Sequence, residues 1–379
     1  MKKLGIVFSL CLSVLLFAGC GNDSMSNSSS ATSKGFQTTG RNVDGEYQGV
    51  IEDGHYLTSK SRGVVLVKDS ENILNLQSFE RGLLNISKQE FSPKKYIFQE
   101  GQVLNKSTVY KWLGRKTKKN TLGLNPKDNG SKDPKKRNPM YVQAISEQDY
   151  MQKDDNDKLV LSGMTIGIAM NRKDYYQKEE YGATYISDIS KEKMLQEGRI
   201  AAAKVLARLR QMKDVPKNIP IVIAMFEQAP QDSLVGGTIY AYTVSKKGAE
   251  LGSWTETDYQ SCVFPATDGK KVPNDNDEES FLNFKNKVQN FFPNLAGVTA
   301  QAYYEGKTLQ GLNINITTQF YSQTEVISFT QYITRAAKQY LPANVPLNIK
   351  VRGSDGNVQS FVSHQQRGDD YYTHVFGSY

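Results

Sequence analysis

Apolar positions along the chain switch between two spacings, and the switches predict the elements. Arg62-Gly63-Val64-Val65-Leu66-Val67 is a strand-like run. Leu74, Phe79, Leu83, Leu84 and Ile86 then recur with helical spacing up to Pro93, which limits the helix. Tyr96–Gly101 reads as a short strand and turn. Asn105–Leu113 reads as a helix capped by Asn105 or Ser107.

From Pro139 the pattern runs twice. The first pass has Tyr141–Tyr150, an acidic turn at Asp154–Asp157 and Leu161-Ser162-Gly163 leading into Met164–Ile168. A helix follows from Lys191 to Met212, with Ala202, Val205, Leu209 and Met212 on one face. Pro216 and Pro220 precede the strand Ile221–Phe226. The second pass has Val298–Tyr304, a turn at Glu305–Lys307 and Leu309-Gln310-Gly311 leading into Leu312–Ile316. Its helix runs from Thr324 to Tyr340, and Pro342 and Pro346 precede Leu347–Val351.

A hairpin leaves an apolar face open, and an amphipathic helix is its natural cover. Residues 139–296 and 297–379 are therefore read as duplicated α+β units, each an antiparallel sheet covered by a helix. They follow an N-terminal α/β segment, residues 61–138. Gly163 should match Gly311, and Ile221 should match Leu347. The first unit carries an extra tyrosine-rich segment, Tyr175–Ser190.

The N-terminus is patterned differently. Lys2 and Lys3 precede an uncharged stretch, Leu4–Phe17, of the length of a secretory signal rather than a membrane span. Ala18 and Gly19 are small, and Cys20 follows them. This is the arrangement of a bacterial lipoprotein signal: residues 1–19 are removed, with cleavage between Gly19 and Cys20. The Cys20 thiol receives lipid. Phe17 departs from the usual Leu. Two acyl chains anchor stably where one does not. Residues 20–60, with Asn22–Ser30 nearly free of core-forming side chains, read as a disordered tether. The expected location is the extracytoplasmic face of the cell membrane.

The 379 residues carry a formal charge of +8, which suits an anionic partner. Much of it sits in one loop: Arg115, Lys116, Lys118, Lys119, Lys127, Lys132, Lys135, Lys136 and Arg137 face only Asp128 and Asp133. Anionic lipid or wall polymer could meet it, and a plain solvated loop is the bland alternative. Export removes nucleic acid as a partner. Once Cys11 leaves and Cys20 is lipidated, Cys262 remains alone, so no intramolecular disulfide can form. It reads as a small core residue.

Motifs for catalysis are missing. His55, His364 and His374 lack metal-ligand spacing, and neither a nucleophile elbow nor a phosphate-cradling loop is present. No metal or cofactor is expected. Gly236-Gly237 reads as a turn, and Glu179-Glu180 and Asp369-Asp370 as solvated surface. The 21 tyrosines are many, and packing accounts for most.

Several words occur in a familiar order after the signal. They are Phe79-Glu80-Arg81-Gly82-Leu83, Phe98-Gln99-Glu100-Gly101-Gln102, Trp112-Leu113, Leu122-Gly123-Leu124-Asn125-Pro126 and Glu147-Gln148-Asp149-Tyr150. Tyr181-Gly182-Ala183-Thr184-Tyr185, Phe292-Pro293-Asn294 and Phe329-Thr330-Gln331-Tyr332 follow. The chain resembles the CamS sex-pheromone lipoprotein family of Gram-positive bacteria over residues 60–360 and in the signal. The resemblance implies that the cut signal is trimmed to an apolar peptide ending at Gly19, Ser13-Val14-Leu15-Leu16-Phe17-Ala18-Gly19, read by a peptide receptor. The family's known peptide has a different apolar sequence ending in alanines. The resemblance supplies no catalytic residues.

Two functions follow as expectations. One is a non-enzymatic surface lipoprotein with a message in its leader and a body that binds. The other is a surface hydrolase of wall or polymer, which a pocket collecting Asp149, Glu180 and a histidine would favour.

Overall fold

Two six-stranded sheets are built by the same succession of elements. The computed structural model describes residues 36–40, 45–64, 72–267, 269–291, 297–365 and 370–377. Three short strands come first: β1 (Gln37–Thr38), β2 (Val50–Glu52) and β3 (His55–Tyr56). The helix α1 (Ile73–Glu90) follows. The first unit is β4 (Ile97–Glu100), α2 (Lys106–Leu113), β5 (Val142–Lys153), β6 (Leu159–Met170), α3 (Lys191–Leu209), β9 (Ile221–Glu227), β10 (Thr238–Ser245) and β11 (Trp254–Glu256). A hairpin, β7 (Lys173–Gln177) and β8 (Thr184–Asp188), is inserted before α3. The second unit is β12 (Tyr259–Phe264), α4 (Asp275–Gln289), β13 (Gly297–Glu305), β14 (Thr308–Thr318), α5 (Gln323–Tyr340), β15 (Leu347–Gly353), β16 (Val358–His364) and β17 (Tyr371–Val375).

The sheet orders are β11-β10-β9-β6-β5-β4 and β17-β16-β15-β14-β13-β12, the same topology twice. Register matches as well. Met164 pairs with Ile221, and Leu312 with Leu347, so Gly163 and Gly311 are equivalent. The residue after each glycine donates its N–H to the carbonyl of the second proline, Met164 to Pro220 at 3.2 Å and Leu312 to Pro346 at 3.0 Å. The matched lead-ins and prolines thus hold one joint in both units.

Local chemistry starts the helices. The side chains of Asn72, Asn105, Ser190, Asn274 and Ser322 each accept a backbone N–H at a helix start, and Ser322 with Glu325 forms a capping box. On the first sheet α2 and α3 cover one face: Val109, Trp112, Ala202 and Val205 bury Ile166, Ile168 and Ile223. Helix α1 covers the other face, with Phe79, Leu83 and Ile86 against Ala169, Ala224 and Phe226. On the second sheet α4 and α5 cover one face, through Phe281, Phe284, Phe329 and Ile333. The opposite face carries Gln301, Asn313, Asn315, Asn348 and Lys350, all at least partly exposed.

Four expectations change. Each sheet is mixed rather than wholly antiparallel, because a strand–helix–strand crossover makes β6–β9 and β14–β15 parallel. The units begin earlier than 139 and 297: β4 and α2 belong to the first, and β12 and α4 to the second, through pairing of β4 with β5 and β12 with β13. The tether ends before 60, since β1, β2 and β3 form a sheet and Tyr47 packs on Phe98 and Tyr150. Its hydroxyl donates to the Phe91 carbonyl at 2.5 Å, which ties this segment to the end of α1. Arg62–Val64 is a turn and Val65–Val67 lies outside the described residues.

Candidate functional site

The basic run 115–137 is an ordered platform. Its centre is Asn125, fully buried: the side-chain amide donates to Leu113 and Val142 carbonyls at 2.7 and 2.9 Å, and its oxygen accepts from Tyr141 and Val142 N–H at 2.7 and 2.9 Å. Lys116 N–H donates to the Asn125 carbonyl and Leu124 N–H to the Trp112 carbonyl, each at 2.8 Å. Arg137 forms an ion pair with Asp174 and donates to Ser187, and its guanidinium lies 3.9 Å from the centre of the Tyr176 ring. The Tyr176 hydroxyl donates to the Lys132 carbonyl at 2.8 Å. The inserted β7–β8 hairpin, the tyrosine-rich segment of the sequence, therefore buttresses the loop. Lys116, Lys118, Lys119, Lys127, Lys132, Lys135 and Lys136 project into solvent.

A cavity of about 310 Å³ opens at the root of this platform. It lies beyond the carboxyl ends of the parallel strands β6 and β9, where crossover topology leaves a gap. Leu113, Met140 and Val142 give it an apolar wall; Gln143, Asn171, Arg172, Lys173 and Gln228 give it a polar one. Arg172 donates through Nη1 to Glu227 at 3.0 Å and through Nε to the Ile189 carbonyl at 2.9 Å. Asn171 donates to Gln143 Oε1 at 3.0 Å, which aims the Gln143 amide.

A second cleft, about 440 Å³, separates the outer face of α1 from the uncovered face of the second sheet. Arg81, Asn85 and Lys88 face Ser261, Gln301, Tyr303, Asn313 and Asn348 across it. Tyr259 and Tyr303 stack at 5.6 Å on its margin, and Asn348 donates to Asn313 at 3.1 Å.

The chemical candidates of the sequence stay apart. Asp149 is buried on β5 beside Glu147, whereas Glu180 is exposed in the β7–β8 connection. Asp149, Glu180 and the histidines line neither cavity. Glu147 accepts the N–H groups of Val103 and Leu104 at 2.9 and 2.6 Å, and Asp149 that of Gln102 at 2.9 Å. The pair clamps the turn between β4 and α2. Burial raises Glu147, and burial with the Glu147 charge raises Asp149 well above the usual carboxylate range. Sequence reasoning missed this clamp, although i and i+2 carboxylates on a strand share a face.

His364 is buried against Tyr371, its ring nitrogens 2.7 and 3.2 Å from the Ala343 and Asp370 carbonyl oxygens, while His55 and His374 sit on outer strands. Cys262 pairs with Ala302 across β12 and β13; burial, then Glu278 and Asp277, push its thiol up to about 11, which disfavours a thiolate. Gly236 and Gly237 let the chain pass close to α1, where the Gly237 N–H donates to Asn75 at 2.9 Å. Asp369, the leader segment Ser13–Gly19 and Cys20 lie outside the described residues. No helix among the described residues is long and apolar enough to cross a membrane.

Two duplicated mixed sheets, with an ordered basic platform beside a cavity lined by Arg137, Arg172, Lys173 and Asp174, make up an α+β body. Residues 56–370 match the family model of the CamS sex pheromone cAM373 precursor, and the chain belongs to that family. A crystal structure of a sex pheromone precursor from Lactobacillus salivarius subsp. salivarius is 63% identical, with a TM-score of 0.87 over 91% of this chain and 100% of that one. The C-terminal domain of the sex pheromone staph-cAM373 precursor from Staphylococcus aureus is 28% identical, with a TM-score of 0.69 over 81% of this chain and 98% of that one. No curated protein sequence matches the chain. The family is one of pheromone precursors.

Proposed function

We propose that the protein is a surface lipoprotein anchored through Cys20, that its leader yields the peptide Ser13–Gly19, and that its body is a non-enzymatic binding module. The apolar run closing on Ala18-Gly19-Cys20, in a chain of a pheromone-precursor family, carries the reading. Val14, Leu15, Leu16 and Phe17 give a receptor large side chains to bury, each contributing about 1.5–3 kcal/mol, with no charge to desolvate. The ordered basic platform supports an anionic partner for the body, lipid headgroups or a wall polymer.

Two measurements test this. Cys20→Ser should move the protein from the membrane fraction to the medium or leave it uncut; unchanged retention and processing would remove the anchor. Mass spectrometry of spent medium should find a heptapeptide or octapeptide ending at Gly19 that vanishes when residues 13–17 are recoded as another working leader. A lipoprotein that matures normally without any such peptide carries no message in its leader.

A further inference from the structure

The body has two unlike ends. Phe36, where the described chain enters it, lies under the Lys153 ammonium, 5.4 Å from the ring centre, at the β5–β6 turn. Asn125 roots the basic platform at Val142, the opposite end of β5. The span Val142–Lys153 rises roughly 35 Å at strand spacing.

The platform end is strongly and freely positive. Among its seven exposed lysines only Lys136 has an acidic partner, Asp133 at 3.8 Å. The platform is held by Asn125 and Arg137 before any partner arrives, so little ordering entropy opposes binding. Its root opens into the 310 Å³ cavity, where Arg172 Nη2, Gln143 Nε2 and Lys173 Nζ make no hydrogen bond among the described residues. A guanidinium edge, an amide and an ammonium are the donors that a multi-oxygen anion takes. The three donors can hold one such group at Arg172, and a longer anion would extend from the cavity mouth along the lysines.

We propose that this end binds a linear phosphate-linked polyanion, one phosphate in the cavity at Arg172 and successive phosphates across the platform lysines. A membrane surface is the rival ligand, and the recessed donors of Arg172, Gln143 and Lys173 favour a strand that can thread a phosphate into the cavity, which is the anionic-partner reading above made specific.

The test uses residues 21–379, which contain every core described above, and labelled long-chain inorganic polyphosphate. Arms with orthophosphate and with vesicles rich in anionic lipid run beside it. Polyphosphate should bind and orthophosphate should not, with affinity falling steeply as salt rises. Neutralising Lys116, Lys118, Lys119, Lys135 and Lys136 to Gln should weaken binding roughly tenfold or more through lost counterion release. Arg172→Gln should weaken it by a smaller factor. Neutralising the exposed Lys246, Lys247, Lys270, Lys271 and Lys287 instead should leave affinity within about twofold, since these lie outside the platform. Equal losses from both lysine sets would reduce the effect to net charge and overturn the proposal. Vesicle binding stronger than polyphosphate binding would overturn it in favour of a membrane surface. Fractionation of Cys20→Ser reads the anchor separately, so either idea can fail alone.

Discussion

Equivalent glycines in the two units should respond oppositely to alanine. Gly163 lies within β6 on the face that α1 covers, and a methyl there would sit 2.7 Å from Phe91 Cζ and overlap the ring edge. Phe91 is itself fully buried and stacked on Tyr150 at 4.5 Å, so the ring has little room to yield. Overpacking of this kind costs about 1–3 kcal/mol. Gly311 holds the same place in β14, on the face that no helix covers; its methyl would meet nothing nearer than the Pro346 carbonyl at 3.8 Å. There the loss of unfolded-state entropy dominates, and Gly311→Ala should stabilise by about 0.4–1 kcal/mol. In differential scanning calorimetry Gly163→Ala should lower the midpoint by roughly 2–6 °C, while Gly311→Ala raises it slightly. Phe91→Leu in the Gly163→Ala background should recover part of the loss, a coupling that a cycle of the four proteins measures. Shifts of the same sign and size at both positions would refute the asymmetry of cover. So would the absence of coupling to Phe91.

Other residues missed by sequence reasoning give further expectations. Asp149 holds its proton more tightly folded than unfolded, so stability present below about pH 4 is lost as pH rises toward its folded value. Asp149→Asn keeps an acceptor for Gln102 and removes the titration; its stability relative to the parent should grow by up to about 1.4 kcal/mol per pH unit across that window in urea unfolding, and a flat difference would exclude it. Arg210 is buried and donates to the Gly248, Ile219 and Ser245 carbonyls at 2.7, 2.9 and 2.9 Å, pinning the end of α3 to the turn before β9 and to the end of β10. Arg210→Met should cost about 3–5 kcal/mol by leaving those carbonyls unmet, and a loss below 1 kcal/mol in thermal unfolding would contradict the pinning. Asn125→Ala removes four buried hydrogen bonds; it should cost about 2–4 kcal/mol and expose the 115–137 lysines to trypsin, with an unchanged digestion pattern as the contrary result.

What could be read from the chain was what lies within one element or one joint. Helical spacing in 74–86, 191–212 and 324–340 gave α1, α3 and α5, because packing one helix face needs only residues three and four apart. The paired prolines and the Leu-x-Gly lead-ins disclosed the duplication, because both mark the joint where crossover and hairpin meet. The basic run and the missing catalytic spacing were equally local. The rest depended on partners far apart in the chain. Edge strands β4 and β12 join their units through backbone hydrogen bonds, which leave little mark on side-chain pattern, so the unit boundaries were misplaced. Nothing near residue 163 says that Phe91 will lie over it, and nothing near Asn315 says that its sheet face stays uncovered; α1 decides both by packing on one sheet only. Asn125, Arg210 and the Glu147–Asp149 clamp look like ordinary surface polar residues until tertiary packing buries them. Burial then drives them to backbone partners, and the bonds of Asn125 fix the platform beside the cavity.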